Sequence, residues 1–152
     1  MSRELSPFER TVCACPRDVE NCTAVGERKG ARGPLIPSDV ARIAEALLKD
    51  GRITRPVEVF QWLRRSAGAI LRVRDTGESI RVGTISPKRL PNGRCVFLGL
   101  DDRCTIHAVA PFGCSMFDEH QSEAEWQRRS IWAHTTIAAD EHYQALRATL
   151  EE

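Results

Sequence analysis

The sequence has no long apolar run and almost no excess charge. Its longest apolar stretch, residues 96–100, is far shorter than the roughly 20 residues that span a bilayer. A net charge of +1 and a hydrophobic fraction of 41% exclude low-complexity disorder. Because residues 1–10 contain no apolar core typical of a secretory signal, we expect a cytoplasmic protein with no membrane partner.

Several common catalytic and nucleotide-binding motifs are also missing. The chain contains no GxGxxG fingerprint, no P-loop and no GxSxG nucleophile elbow, and it has no internal repeat. Its 152 residues are the size of one domain, so we expect a single domain over 1–152. The motifs therefore leave open whether the protein is an enzyme.

The helical spacing of apolar residues predicts two helices in the first half of the chain. The first has Ser38 as its N-cap and Gly51 as its stop signal. The second begins near Pro56, since proline suits the first turn of a helix. Its predicted apolar face continues to Leu63 and Ala67.

A hairpin and a third helix complete the predicted fold. Residues 70–74 and 80–85 alternate like strands, with a turn at 75–78 between them. The third helix covers about 122–150 and opens with a capping box at Ser122. The sequence therefore predicts a small α+β domain, with irregular loops around its cysteines.

Six cysteines form two groups that are far apart in the sequence. The first group is Cys13, Cys15 and Cys22, and the second is Cys95, Cys104 and Cys114. Three disulfides would suit a small secreted protein, but this chain lacks a secretory signal and is long enough to fold without them. Grouped thiols in a cytosolic chain more often bind metal, and redox thiols are the alternative.

Local geometry can bring the second group together. The eight residues between Cys95 and Cys104 are rich in turn formers, so a strand and a turn can return Cys104 beside Cys95. Pro111 restricts the backbone just before Cys114. A fourth ligand has to come from elsewhere, and the first group is the obvious donor. Because thiolates are soft ligands, we expect the two groups to share zinc, iron or an iron–sulfur cluster.

The second group resembles the YkgJ-type cysteine-cluster proteins, the CxxCxxCC family of zinc- or iron-chelating domains. The residues that match the family pattern are Cys95, Cys104, Ile106, Pro111 and Cys114. The resemblance covers about residues 11–118 and implies that all six cysteines serve a metal centre. The chain departs from the family in having His107 in place of an aromatic residue, Ala110 in place of arginine, and three cysteines in its first cluster.

Two further side chains, those of Asp18 and His107, are alternative candidates for metal ligands. Asp18 stands where a C-x2-C spacing from Cys15 would place a thiol, and an ordinary turn residue is the default interpretation. His107 follows Cys104 by three residues and can chelate the same ion if the backbone turns there, although a structural histidine is the default. The number and identity of the ligands therefore remain open at this point.

The main functional hypothesis is a metal-binding protein, and two alternatives accompany it. One is an iron–sulfur redox or modification enzyme. The other is a zinc-stabilised module that binds nucleic acid or protein, because residues 1–94 carry a net charge of +7 and residues 95–152 a net charge of −6. We expect the two halves to neutralise each other, which makes nucleic acid the less favoured partner.

Overall fold

The computed structural model describes residues 34–72, 76–101, 103–109, 112–115 and 122–151. Over these residues the fold is α+β, as predicted, with a two-stranded antiparallel sheet. The elements are helices α1 (Pro37–Lys49), α2 (Phe112–Ser115), α3 (Glu123–Ala139) and α4 (Glu141–Ala148), and strands β1 (Leu63–Arg72) and β2 (Ser79–Pro87). None of the helices in the described ranges is long and apolar enough to cross a membrane.

Helix α1 begins two residues earlier than predicted. Its N-cap is Ile36 rather than Ser38, and Pro37 occupies the first turn. Proline fits there because the missing N–H would have no partner inside the helix. Asp39 then accepts a hydrogen bond from the Ile36 N–H at 2.9 Å, so it stabilises the helix start in place of the Ser38 hydroxyl. The predicted stop is confirmed, since Gly51 has a φ of +71° just after the helix.

The second predicted helix is wrong beyond Trp62. Residues Pro56–Trp62 form a 3₁₀ helix, and Leu63 and Ala67 lie in β1. In the ladder, Leu63 lies opposite Pro87, and its side chain is buried. Pairing with a distant strand therefore overrides the helical spacing of these apolar residues.

The predicted hairpin is confirmed, and its first strand is longer than predicted. Strands β1 and β2 pair antiparallel, and a β-bulge interrupts the register between Ser66 and Ala69. The bulge holds Gly68 at a φ of +81°, where an added Cβ would lie 1.7 Å from the Val82 carbonyl oxygen. The bulge therefore requires glycine at this position.

The predicted C-terminal helix is divided in two at Asp140. Asp140 caps α4 by accepting a hydrogen bond from the Tyr143 N–H at 2.8 Å. The buried Tyr143 hydroxyl donates to the Leu35 carbonyl oxygen at 2.6 Å and accepts from the Ile85 N–H at 2.7 Å. Burial raises the pKa of this hydroxyl well above its usual value, so it remains a donor. Helix α4 is thereby tied to β2 and to the chain just before α1.

One apolar core connects these elements. It draws residues from α1, both strands, α3, α4 and the loops that carry cysteines. Fully or nearly fully buried members include Leu35, Ile43, Leu47, Leu63, Ile85, Phe97, Ile106, Phe112 and Ile137. We call the described residues between 88 and 115 the cysteine-bearing segment. This segment packs on the core through Phe97, Ile106 and Phe112.

Candidate metal site

The structure describes the second cysteine group. Cys95 is buried with 8% of its surface exposed, and Cys104 and Cys114 are half-buried. The first group, Cys13, Cys15 and Cys22, lies outside the described residues, as does Asp18. The side chain of His107 also lies outside the description. The predicted meeting of the two groups therefore stays a prediction.

Cys95 lies opposite Arg89 in a short antiparallel bridge. On one side of the pair, the backbone N–H that follows Cys95 donates to the Lys88 carbonyl oxygen at 2.9 Å. On the other side, the Leu90 N–H donates to the Arg94 carbonyl oxygen at 2.8 Å. A pair that lies between two such bonds has its Cα atoms about 4.5 Å apart, the closest spacing in an antiparallel ladder. Arg89 and Cys95 are therefore close cross-strand neighbours.

Cys104 lies in a second bridge with the same geometry, opposite Leu98. The Thr105 N–H and hydroxyl both donate to the Phe97 carbonyl oxygen, at 2.8 and 2.7 Å. The Gly99 N–H donates to the Arg103 carbonyl oxygen at 2.8 Å. The chain turns back as the sequence predicts, but Cys104 faces Leu98 rather than Cys95.

A turn accounts for this shift of register. The Leu98 N–H donates to the Cys95 carbonyl oxygen at 3.0 Å, which is the hydrogen bond of a four-residue turn. Cys95 is thus at the start of the turn, and Cys104 lies across from the end of it. Leu98 is hydrogen-bonded to Cys95 through the turn and lies opposite Cys104 in the bridge. The turn and the two bridges therefore hold Cys95 and Cys104 in the same region.

Cys114 is positioned by helix α2. The Phe112 N–H at the start of this helix donates to Oδ2 of Asp39 at 2.8 Å, and the Phe112 ring is tilted against Trp132 with centroids 5.8 Å apart. The guanidinium of Arg129 lies 5.4 Å from the same ring centroid. Contacts with α1 and α3 therefore set the place of the last cysteine.

Asp39 joins two distant parts of the chain. Its Oδ2 accepts from the Ile36 N–H as well as from the Phe112 N–H, and its Oδ1 accepts from Arg42. The carboxyl group is fully buried. Burial raises its pKa, while hydrogen bonds from Phe112, Ile36 and Arg42 oppose the rise. The sequence carries no local signal for the contact of Asp39 with Phe112, because the two residues are 73 positions apart.

Positive charge lies close to Cys95. Burial lowers the pKa of the half-buried Arg64 guanidinium, the neighbouring Arg89 lowers it further, and the Cys95 thiolate raises it. Arg89 is also the cross-strand neighbour of Cys95, so a guanidinium group lies beside this part of the chain.

The described residues do not form a metal site, and the expected gathering of Cys95, Cys104 and Cys114 as three ligands is not found among them. Within this part of the chain, no three cysteine, histidine, aspartate or glutamate side chains are grouped so that they could hold a metal ion. The described donors are thiols, the ligand type that a soft metal prefers. The remaining donors of the hypothesis belong to the first cysteine group.

Comparisons with known proteins add no relative. No family model matches the chain, and neither a curated protein nor a solved structure matches it. Any functional conclusion therefore rests on the residues themselves.

Proposed function

We propose that this protein binds zinc or iron through its two cysteine groups, as its resemblance to the YkgJ-type cysteine-cluster proteins implies. The proposed ligands come from Cys13, Cys15, Cys22, Cys95, Cys104 and Cys114. We also propose a cytoplasmic location, because the reducing cytosol keeps such thiols available to metal. An iron–sulfur cluster is included in the proposal as one form of bound iron.

The shared hydrogen bonds of Asp39 are the observation that carries this proposal. Ile36 belongs to the stretch that leads out of the first cysteine group, and Phe112 begins the helix that carries Cys114. Their N–H groups bind the same carboxylate oxygen, at 2.9 and 2.8 Å. A residue 14 positions after Cys22 and a residue two positions before Cys114 thus share one carboxylate oxygen.

The distance along the chain is compatible with a shared centre. Cys22 precedes Ile36 by 14 positions. A stretch of that length spans at most roughly 45 Å when fully extended. The first group can therefore return to the cysteine-bearing segment without moving α1.

Metal binding also suits the energetics of grouped thiols. Six thiolates crowded together without a cation repel one another, and a bound cation removes this cost. A metal that joins the two groups also closes a long loop, so its binding free energy adds to the free energy of folding.

The direct test is metal analysis of the full chain purified without oxygen. We expect zinc or iron in a fixed ratio to protein. Absorption between about 300 and 450 nm would identify iron–sulfur chemistry and favour the redox-enzyme form of the proposal. A chain that contains neither metal, and takes up neither when they are supplied, contradicts the proposal.

Variants test whether the two groups share one centre. Cys104→Ser and Cys15→Ser are each expected to release the same ion and to lower the melting temperature. Thr105→Ser is the matched control, because it retains the hydroxyl that donates to Phe97 at 2.7 Å. Full metal content in either cysteine variant would contradict a shared centre.

A further inference from the structure

A groove with mostly apolar walls lies between three elements of the fold. Helix α1, the 3₁₀ helix Pro56–Trp62 and helix α4 line it, and its volume is about 410 Å³. Pockets that bind small molecules usually have volumes of about 300–1,000 Å³ and walls of apolar side chains with a few polar groups. The size and the lining of this groove are therefore those of a small-molecule site.

The apolar wall is continuous along one side of α1. Pro37, Val40, Ala41 and Ala44 line the groove, and their spacing of three and four residues places them on a shared side of the helix. On the 3₁₀ helix, the side chain of Val57 is 56% exposed. A ligand that covers this apolar surface removes it from water, which favours binding.

The polar part of the wall carries a carboxylate. Asp140 is half-buried and is the N-cap of α4, where its Oδ1 accepts the Tyr143 N–H at 2.8 Å. Within the described part of the chain, its second oxygen, Oδ2, has no hydrogen bond and no ion pair. The described residues that line the groove include neither lysine nor arginine. The fixed charge that the groove offers a ligand is therefore negative.

Two further features favour a cation over an anion. The start of a helix attracts anions, but in α4 the Asp140 carboxylate already occupies that position as the N-cap. His142 also lines the groove, and a neutral imidazole can accept a hydrogen bond from an ammonium group.

We propose that this groove binds a small organic amine, with the apolar part of the ligand against α1 and the 3₁₀ helix and its ammonium group on Oδ2 of Asp140. Apolar burial supplies most of the affinity, and the charge-assisted hydrogen bond to the carboxylate orients the ligand. The described lining contains no cysteine, so the inference does not depend on the proposed metal.

Amide NMR titration of the full chain with phenylbutylamine tests this inference. The same titration with phenylbutyrate and with phenylbutanol varies the charge of the ligand and keeps its apolar part. We expect the amine to bind most tightly of the three and to shift the amide signals of α1, the 3₁₀ helix and α4.

Variants of the groove test the role of each wall. Asp140→Asn is expected to weaken amine binding about 10-fold, the effect of losing a charge-assisted hydrogen bond, while asparagine still caps α4. Ala41→Arg places a bulky cation in the groove at an exposed position and is expected to abolish binding. Glu141→Gln is the matched control, because it removes a neighbouring exposed carboxylate that does not line the groove.

Several outcomes would overturn the inference. Phenylbutyrate that binds as tightly as the amine, or Asp140→Asn with wild-type affinity for the amine, would show that the carboxylate does not select the ligand. Shifts of the same signals that depend on protein concentration, without added ligand, would identify a second copy of the chain as the occupant. The absence of shifts with all three ligands would show that the groove binds no small molecule of this class.

Discussion

The body of the domain and the cysteine-bearing segment are held together in different ways. The body consists of α1, the hairpin and α4, and its members Ile43, Leu47 and Ile85 are fully buried. The cysteine-bearing segment has two isolated bridges, a three-residue 3₁₀ helix and the four-residue α2. Apolar burial and a regular ladder stabilise the body, whereas the segment has three buried apolar anchors joined by isolated bridges, turns and one buried carboxylate. We therefore expect the proposed metal to stabilise the cysteine-bearing segment more than it stabilises the body.

Gly68→Ala is expected to give the largest effect, because it breaks the body of the domain. The new Cβ would lie 1.7 Å from the Val82 carbonyl oxygen, so the bulge has to open. We expect a loss of more than about 3 kcal/mol in the free energy of unfolding, measured by urea denaturation.

Gly77→Ala is the matched control for this change. Gly77 also has a positive φ, of +70°, but no atom lies within 4 Å of an added Cβ. The control should lose only about 1 kcal/mol, the cost of the backbone conformation. Equal losses of unfolding free energy in the two variants would show that the close approach at Gly68 does not affect stability.

Asp39→Ala is expected to give the next largest effect, because it separates the segment from the body. The change removes the acceptor of two buried N–H groups, Ile36 and Phe112. We expect a loss of about 3 kcal/mol in the free energy of unfolding, together with weaker binding of the proposed metal. Asp50→Ala is the control, because Asp50 is exposed and its ion pair with Arg52 is long, at 3.7 Å. This change should lower the free energy of unfolding by less than about 0.5 kcal/mol. Similar losses in both variants would contradict a special role for Asp39.

Tyr143→Phe is expected to lower the stability of the body by less than Asp39→Ala lowers the stability of the protein. The variant keeps the ring in the core but removes the hydroxyl that joins the Leu35 carbonyl oxygen to the Ile85 N–H. We expect a loss of about 2 kcal/mol in the free energy of unfolding and unchanged metal content. Thr135→Val, which removes an exposed hydroxyl, is the control. A loss of metal in Tyr143→Phe would show that the body and the segment are more tightly coupled than their contacts indicate.

The titration of Asp39 is expected to give the smallest effect. Burial raises its pKa above the ordinary 3.8, so the folded chain binds the proton more tightly than the unfolded chain. The resulting stabilisation is complete below the unfolded-state pKa and is lost as the pH rises through the folded-state value. The stability of the wild type relative to Asp39→Asn should therefore fall as the pH rises from 3.8. A relative stability that rises with pH would mean that the hydrogen bonds outweigh burial.

Local chemistry in the sequence determined a large part of this protein. The helical spacing before Gly51, the turn signals around Gly77 and the alternation in β2 each predicted their element, because each depends on neighbouring residues. The grouping of the six cysteines, and the metal hypothesis that follows from it, are also visible in the sequence alone.

Only the tertiary structure decided the features that depend on residues far apart. Leu63 fits a helical face, and its place in β1 follows from pairing with Pro87. The bond from Phe112 to Asp39 joins residues 73 positions apart, and the stacking of Trp62 on Phe97 joins the 3₁₀ helix before β1 to the cysteine-bearing segment. Such contacts form because burial and backbone pairing act through space, and the order of residues along the chain does not record which distant groups will meet.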